Sequence, residues 1–170
     1  ILDVGCGGGE LLLDLQSAGF TQLLGADPFV AQDLDLGGGL RVLRRELQAV
    51  EGEFDLVMFH HALEHVPDPD AALRAAFGRL APQGRCIVRI PTVSSWAWRH
   101  YGVHWCALDA PRHLILHSRK SIELLARESG FVVEGIGDDA NGFQFWGSEQ
   151  YSRGIALMRP GNRNIEPAPG

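Results

Sequence analysis

The sequence predicts a doubly wound α/β fold built on a mostly parallel sheet. Short apolar stretches alternate with helical patterns, a glycine-rich turn follows the first apolar stretch, and the length of 170 residues suits a single domain. Strands that alternate with helices are joined by crossover connections, which make neighbouring strands parallel and place helices over the sheet.

Six strands and four helices are predicted in order along the chain. The strands are 1–5, 23–26, 40–43, 54–59, 85–90 and 131–136, and the stretch at 54–59 is almost wholly apolar, as in a strand covered on both faces. The helices are 10–18, which ends at Gly19, 30–36, which ends at three glycines, one that begins at Asp68 or Asp70, and one that begins at Ser118 or Ser121.

Composition and charge exclude several classes of protein. The formal net charge of −6, without a basic stripe, argues against nucleic acid as the main partner. The apolar runs are shorter than the roughly 18 residues of a membrane span, so we expect no membrane partner.

The three cysteines are widely spaced and form no C-x-x-C pair, which fits a reducing cytoplasm. The chain begins at Ile1 without an initiator methionine, and we expect it to lack its natural N-terminus.

The glycine-rich turn runs from Asp3 through Gly5, Cys6 and Gly7 to Gly9. It stands at the carboxyl end of the first strand, where doubly wound sheets bind ligands. Glycines there let a ligand lie against the backbone, and the following helix offers free N–H groups. The turn therefore predicts a nucleotide-like ligand.

The spacing after the turn separates a dinucleotide from other ligands. A dinucleotide-binding turn needs a small residue at position 10, where this chain has Glu10, a negative side chain badly placed for a pyrophosphate. Asp27 ends the second strand and can accept hydrogen bonds from a ribose diol. A nucleoside without phosphates fits these features better than a nicotinamide dinucleotide.

Several motifs together resemble the class I S-adenosylmethionine-dependent methyltransferases, in the small-molecule branch that includes ubiquinone and sugar biosynthesis. They are Asp3-x-Gly5-x-Gly7-x-Gly9, Gly25-Ala26-Asp27-Pro28, Phe54-Asp55-Leu56-Val57 continuing to Ala62-Leu63-Glu64-His65-Val66-Pro67, Leu108-Asp109-Ala110-Pro111-Arg112-His113-Leu114, and Glu128-Ser129-Gly130-Phe131. The resemblance covers roughly residues 1–150. It implies a Rossmann-like sheet of seven strands, the seventh antiparallel and within 141–157, although 143–151 also fits a helix. The methyltransferase domain is expected to span 1–158, with 159–170 as a loose tail.

The resemblance also implies which residues bind S-adenosylmethionine and its product S-adenosylhomocysteine. Glu46 and Leu47 would lie near the adenine, and Phe59 and His60 near the methionine moiety; the alternative for Glu46 is a solvated carboxylate. The full implied set is Asp3, Gly5, Cys6, Gly7, Gly9, Asp27, Pro28, Glu46, Leu47, Phe59 and His60.

Residues 92–117 form a long connection rich in aromatic side chains. Three of the four tryptophans of the chain, Trp96, Trp98 and Trp105, stand here with Tyr101. Aromatic walls exclude water and can favour a cation such as a sulfonium. We expect a substrate lid with Trp96, Tyr101 and Trp105 against the acceptor; the alternative is a segment that packs on itself.

The histidines offer two kinds of chemistry. His61 to His65 match the H-x-x-E-H pattern of zinc proteases, but that pattern requires a helix, and no third ligand can be nominated from the sequence, so no metal is expected. His113 and His60 are candidate general bases, because an unperturbed histidine titrates near neutral pH. The alternative for His113 is a structural role that anchors the lid.

The predicted function is transfer of a methyl group from S-adenosylmethionine to a small-molecule acceptor. The main contribution of the protein would be to position the acceptor for in-line attack. The alternatives are a non-catalytic module that binds a metabolite or partner on the same fold, and a nicotinamide-dependent oxidoreductase, which Glu10 disfavours. The acceptor and the oligomeric state are left open.

Overall fold

A computed structural model describes residues 1–157 of the chain and shows a six-stranded sheet with the strand order β3-β4-β2-β1-β5-β6. The strands are β1 (Leu2–Val4), β2 (Leu24–Ala26), β3 (Leu34–Gly37), β4 (Leu40–Leu43), β5 (Phe54–His60) and β6 (Leu80–Arg89). All neighbouring pairs are parallel except β3 and β4. The predicted class, a mostly parallel Rossmann-like α/β sheet, is confirmed.

Residues 1–157 contain five α-helices: α1 (Glu10–Ser17), α2 (Pro69–Phe77), α3 (Trp96–Tyr101), α4 (Arg119–Glu128) and α5 (Phe143–Ser152). Two apolar clusters hold the layers together. The smaller one centres on Leu12 of α1 with Leu40 of β4, and the larger one joins Phe59 of β5 to Leu73 of α2. Asp68 caps α2 through the Ala71 N–H at 3.0 Å, and Ser118 caps α4.

The predicted helix over 30–36 is wrong, because this segment contains β3. Leu34 and Leu36 alternate with exposed residues, and Leu36 packs against the α1 cluster, which is the two-residue period of a strand. The three glycines at 37–39 all have positive φ and turn the chain straight back into β4. A run of four residues is too short for its period to be recognised in the sequence.

The sixth strand predicted at 131–136 is also wrong. In the structure this segment has no strand assignment, and Val132 and Ile136 are exposed. Instead, side-chain ion pairs join its neighbourhood to β6, from Arg85 to Glu134 and from Arg89 to Asp139. β6 is longer than predicted because the expected turn at 82–84 lies within it as an irregularity of the pairing with β5.

A seventh strand is not found among residues 1–157. The segment 141–157 holds α5, so the helical alternative for 143–151 is confirmed. The predicted tail 159–170 lies outside the described residues. Within residues 1–157 the helices are too short or too polar for any of them to cross a lipid bilayer.

Candidate active site

The glycine-rich turn joins β1 to α1 and depends on glycine at Gly5, Gly7 and Gly9. All three have positive φ, of 73°, 55° and 89°. A Cβ on Gly5 would lie 2.5 Å from the Cβ of Ala62, and one on Gly9 would lie 2.7 Å from Leu36. Only glycine avoids both the strained φ and these clashes. A Cβ on Gly7 would meet no atom of residues 1–157 within 4 Å, so this position faces open space where a ligand can approach the backbone.

Asp27 ties the end of β2 to the glycine turn. Its carboxylate accepts hydrogen bonds from the N–H of Gly7 and the N–H of Phe29, both at 2.8 Å, and its side chain is buried. A carboxylate has about four acceptor sites, so two remain for a ligand. Pro28 follows Asp27 and is half-buried.

Asp3 is buried and Cys6 is half-buried at the same turn. Burial, followed by the charge of Asp27, raises the pKa of Asp3 to about 7, and its Oδ1 has no hydrogen-bond partner among the described residues. Burial, followed by the charges of Asp3 and Asp27, raises the pKa of the Cys6 thiol to about 12, so this thiol is not a nucleophile at neutral pH. The Asp3 side chain can therefore accept a hydrogen bond from a ligand.

The other residues implied for the cofactor differ in exposure. Glu46 is exposed and precedes a one-turn 3₁₀ helix, Leu47–Ala49, in which Leu47 is buried in the larger cluster. Phe59 is fully buried, so only its backbone can reach a ligand. His60 ends β5, and its Nε2 accepts a hydrogen bond from the guanidinium of Arg89. Burial, followed by the charge of Arg89, lowers the pKa of His60.

The lid predicted at 92–117 is a closed loop, because its two ends pair with each other. Thr92 and His117 form a β-bridge, and the N–H of Val93 donates to the carbonyl of His117 at 3.0 Å. Between these ends lie α3 and two 3₁₀ turns, Gly102–His104 and Cys106–Leu108. The long connection was predicted from the sequence, its helical content was not, and its role as a substrate lid stays a prediction.

The three aromatic residues predicted for the lid have different environments. Trp96 is 54% exposed and stacks on the ring of His100, with centroids 4.4 Å apart. Tyr101 donates to Glu149 of α5 at 3.1 Å. Trp105 is buried and packs on Trp98, with centroids 5.9 Å apart. Trp96 and Trp105 both line the cavity described below, Trp96 with more of its surface exposed, and Tyr101 connects the segment to α5.

A second group of polar residues, which we call the acid–histidine cluster, consists of His61, Glu64, His65, Asp109 and His113. Glu64 is 1% exposed, and neither of its oxygens has a hydrogen-bond partner in the described chain. The nearest nitrogens are His61 Nδ1 at 3.4 Å and His113 Nε2 at 4.0 Å. Asp109 Oδ2 lies 3.7 Å from the same His113 nitrogen. Glu64 and Asp109 were not among the site residues predicted from the sequence, because they come together only in the folded chain.

Backbone hydrogen bonds join the two segments that form the cluster. The N–H groups of Leu114 and Ile115 both donate to the carbonyl of Glu64, at 2.8 Å and 3.3 Å. Residues 63–65 make a single 3₁₀ turn rather than an α-helix, so the protease-like geometry of H-x-x-E-H is absent from this part of the structure. Glu64, His65 and His113 nevertheless each place one potential ligand atom within 4.8 Å of the others.

A cavity of about 2360 Å³ connects the cluster to the lid. Glu64 and His113 line one end, Trp96 lines the lid, and Arg89 lines the wall formed by β6. The β6 wall carries apolar side chains such as Ile87 together with the ion pairs of Arg85 and Arg89, and the cluster adds the Glu64 carboxylate at one end. Such a cavity suits a small organic molecule with a polar group at one end.

Comparison with known proteins assigns the chain to a family. The family model described as "Methyltransferase domain" matches residues 1–135, which include the glycine turn, Asp27 and the acid–histidine cluster. The chain belongs to this family.

The curated relatives cover a part of this methyltransferase domain. The ubiquinone biosynthesis O-methyltransferase of Psychrobacter cryohalolentis is 37% identical over 100 residues, which are 52% of this chain and 39% of that protein. The protein of the same description from Pseudomonas fluorescens SBW25 is 38% identical over 95 residues, which are 50% of this chain and 41% of that protein. The chain therefore spans about two fifths of the length of these relatives.

Solved structures share the fold of the methyltransferase domain. The magnesium protoporphyrin IX methyltransferase of Synechocystis PCC 6803 with bound S-adenosylhomocysteine matches with a TM-score of 0.63 and 18% identity, over 84% of this chain and 68% of that one. A methyltransferase of Thermotoga maritima, described as a possible histamine N-methyltransferase, matches with a TM-score of 0.60 and 22% identity, over 78% and 63% of the two chains.

Proposed function

We propose that this chain binds S-adenosylmethionine at the glycine turn and transfers its methyl group to a small-molecule acceptor held under the lid. The observation that carries the proposal is the buried Asp27 carboxylate, which holds the turn through Gly7 and keeps acceptor sites for a ribose diol. The family of the chain and the bound product in a structural neighbour support the same ligand.

The charges around the turn suit this cofactor. S-adenosylmethionine carries an ammonium group, and the unpartnered Asp3 oxygen is the acidic acceptor beneath the turn. Glu10 exposes a further negative charge at the start of α1, which a ligand without phosphates tolerates. The cofactor supplies an activated methyl group on sulfur, so the residues of the chain need only orient the two reactants and exclude water.

The acceptor is proposed to lie in the cavity beside Trp96. The relatives are O-methyltransferases by description, which favours an oxygen atom as the acceptor. Of the two bases that the sequence suggested, His60 already accepts a hydrogen bond from Arg89, and a lowered pKa disfavours its protonated form. His113 donates from Nδ1 to the Ala107 carbonyl at 2.9 Å and keeps the Nε2 lone pair, so it is the better candidate.

Equilibrium binding tests this proposal. Titration calorimetry with S-adenosylmethionine and S-adenosylhomocysteine should show binding that Asp27→Asn weakens by at least about tenfold, because a hydrogen bond to a charged group contributes roughly 1.5–3 kcal/mol. Asp14→Asn, an exposed change of the same chemistry on α1, should bind like the unchanged chain. Absence of binding at millimolar concentrations of both compounds would refute the proposal.

The non-catalytic alternative makes a different prediction. A module that binds the cofactor without using it should transfer no labelled methyl group to any component of a small-molecule extract. The proposed enzyme should label at least one compound, and loss of labelling in Asp27→Asn would connect the activity to the turn.

The cytoplasm remains the predicted compartment, from the spacing of the cysteines.

A further inference from the structure

Glu64 is the most unusual charged residue of the described chain. Its side chain is 1% exposed, both carboxylate oxygens lack a hydrogen-bond partner there, and the side chain lines the cavity. A buried, unpartnered carboxylate is costly, and buried charges in proteins are normally paired or coordinate a metal. Its environment therefore needs a cation.

Two histidines adjoin Glu64, the half-buried His113 and the exposed His65, and each has a nitrogen within 4.8 Å of a Glu64 oxygen. His113 Nδ1 donates to the Ala107 carbonyl at 2.9 Å, and His65 Nδ1 donates to the Arg112 carbonyl at 2.9 Å. With Nδ1 as the donor, Nε2 of each ring keeps a lone pair. A hydrogen bond from the other ring nitrogen to a backbone carbonyl is the usual support of a metal-binding histidine, because it fixes the tautomer and the ring orientation.

The arginine of the cluster region does not pair with Glu64. Asp109 is the other acid beside His113, and Arg112 forms an ion pair with it. His61 Nδ1 lies 3.4 Å from Glu64 without making a hydrogen bond, and the His61 side chain is half exposed. Both His61 and Asp109 have left-handed φ, of 55° and 42°, a strained backbone for residues other than glycine that concentrates at functional sites.

We propose that Glu64, His65 and His113 bind a divalent transition metal of the Zn²⁺ or Co²⁺ type. Two imidazole nitrogens and one carboxylate favour such ions over Mg²⁺ and Ca²⁺, which prefer oxygen ligands. The three ligand atoms lie within 4.8 Å of one another, and roughly 3–3.5 Å is expected around one tetrahedral ion, so small side-chain rotations complete the set. The cavity side leaves a coordination position for an exchangeable oxygen ligand.

Metal binding and proton acceptance are alternatives at His113, because one lone pair serves one of them. A base needs a single free nitrogen, whereas here three donor groups converge and one of them is a buried charge. A metal at this place would lower the pKa of a bound hydroxyl group, so that the proton could pass to solvent water in the cavity without a histidine base. The acceptor of the proposed methyl transfer would then reach the cluster through its oxygen.

Metal titration of the full chain, without any methyl acceptor, tests the site. After dialysis against a chelator, Co²⁺ should bind in one equivalent and give the visible absorption of nitrogen and oxygen ligation, and Zn²⁺ should displace it. Glu64→Gln and His113→Gln should each weaken binding by at least about 100-fold, because loss of outer partners alone typically costs 10–100-fold. His104→Gln, an exposed histidine of the lid, should bind like the unchanged chain.

Glu64→Gln keeps the shape of the side chain and removes the unpartnered charge. In the metal-free state it should melt at the same temperature as the unchanged chain or higher, which separates loss of the site from loss of the fold. Absence of a bound equivalent at millimolar metal, or equal binding by Glu64→Gln and His104→Gln, would overturn the proposal. S-adenosylmethionine binding plays no part in this titration, so failure of the metal site leaves the proposed cofactor site unaffected.

Discussion

The glycine turn and the acid–histidine cluster are neighbours through the contact of Gly5 with Ala62. Each contains a buried carboxylate, and the two carboxylates differ in their hydrogen bonding. At the turn, the Asp27 carboxylate accepts from Gly7 and Phe29, both at 2.8 Å. In the cluster, the Glu64 carboxylate is also buried but accepts no hydrogen bond within the described chain. One acid is already used to shape the protein, and the other is left to be neutralised by something else.

This difference separates two kinds of ligand. A satisfied carboxylate beside open backbone is preorganised for a neutral donor such as a ribose hydroxyl, which adds hydrogen bonds without changing the charge. A buried carboxylate without partners stabilises a bound cation instead, because the cation removes a cost that the folded protein already carries. We infer the nucleoside for the first site and the metal for the second on this basis.

Gly5→Ala is the change with the largest expected effect, and it tests whether the two sites are independent. The added methyl would lie 2.5 Å from Ala62, in the segment that leads into the cluster, at a φ of 73°. We expect a loss of about 3 kcal/mol in the free energy of unfolding, from the left-handed φ and the overpacking together. Urea denaturation measures it, and the binding of both S-adenosylmethionine and Co²⁺ should fall.

Gly19→Ala is the matched control for this prediction. Gly19 has a φ of 98°, but an added Cβ would meet no atom within 4 Å in residues 1–157, so only the backbone strain applies. The expected cost is about 1 kcal/mol, without loss of either ligand. Gly5→Ala could abolish S-adenosylmethionine binding and leave Co²⁺ binding unchanged. That result would show that the Gly5–Ala62 contact supports the cofactor site but not the metal site.

The turn was predictable from the sequence because all of its residues are close along the chain. Asp3 to Gly9 form the motif locally, and Asp27 follows at the end of the next strand. The cluster was not predictable in the same way. His61 to His65 were visible as a pattern, but their partner His113 comes from the far end of the lid, and no local spacing relates the two segments.

Asp3→Asn tests the cost of a buried carboxylate at the glycine turn, because one oxygen of Asp3 has no hydrogen-bond partner in the described chain. Its pKa of about 7 lies above the ordinary 3.8, so between these values the folded protein binds more protons than the unfolded one and stability falls as pH rises. Asn carries no such cost. We expect Asp3→Asn to be more stable by about 4 kcal/mol at pH 8 and close to the unchanged chain near pH 4.

Thermal melts across this pH range, with Asp55→Asn as an exposed control, measure the difference. A pH-independent gap between Asp3→Asn and the unchanged chain would show that ionisation of Asp3 is not the cause. Addition of S-adenosylmethionine should narrow the gap at pH 8, because an ammonium group would then partner the Asp3 carboxylate.

The errors in the predicted fold and the failure to predict the cluster have the same cause, which is that contacts between distant parts of the chain are not visible in a local pattern. Residues 34–37 become a strand because the glycines at 37–39 allow an immediate return into β4, which outweighs the weak helical pattern of 30–36. Residues 131–136 have the apolar composition of a strand, but a strand requires a partner, and within the described chain they contact β6 through the Arg85–Glu134 ion pair instead. In both cases the contacts with a neighbouring segment, and not the local pattern alone, decided the secondary structure.

Asp109→Asn should have the smallest effect and separates the two acids that approach His113. Arg112 already pairs with Asp109, and partly exposed ion pairs contribute about 0–1 kcal/mol, so we expect the free energy of unfolding to change by less than about 1 kcal/mol. Asn also tolerates the left-handed φ of 42° at this position. Co²⁺ affinity should change by less than about threefold, against about 100-fold for Glu64→Gln. Equal losses in the two variants would mean that the cluster attracts cations by its summed charge, whereas the expected inequality follows only if the unpartnered carboxylate is a ligand.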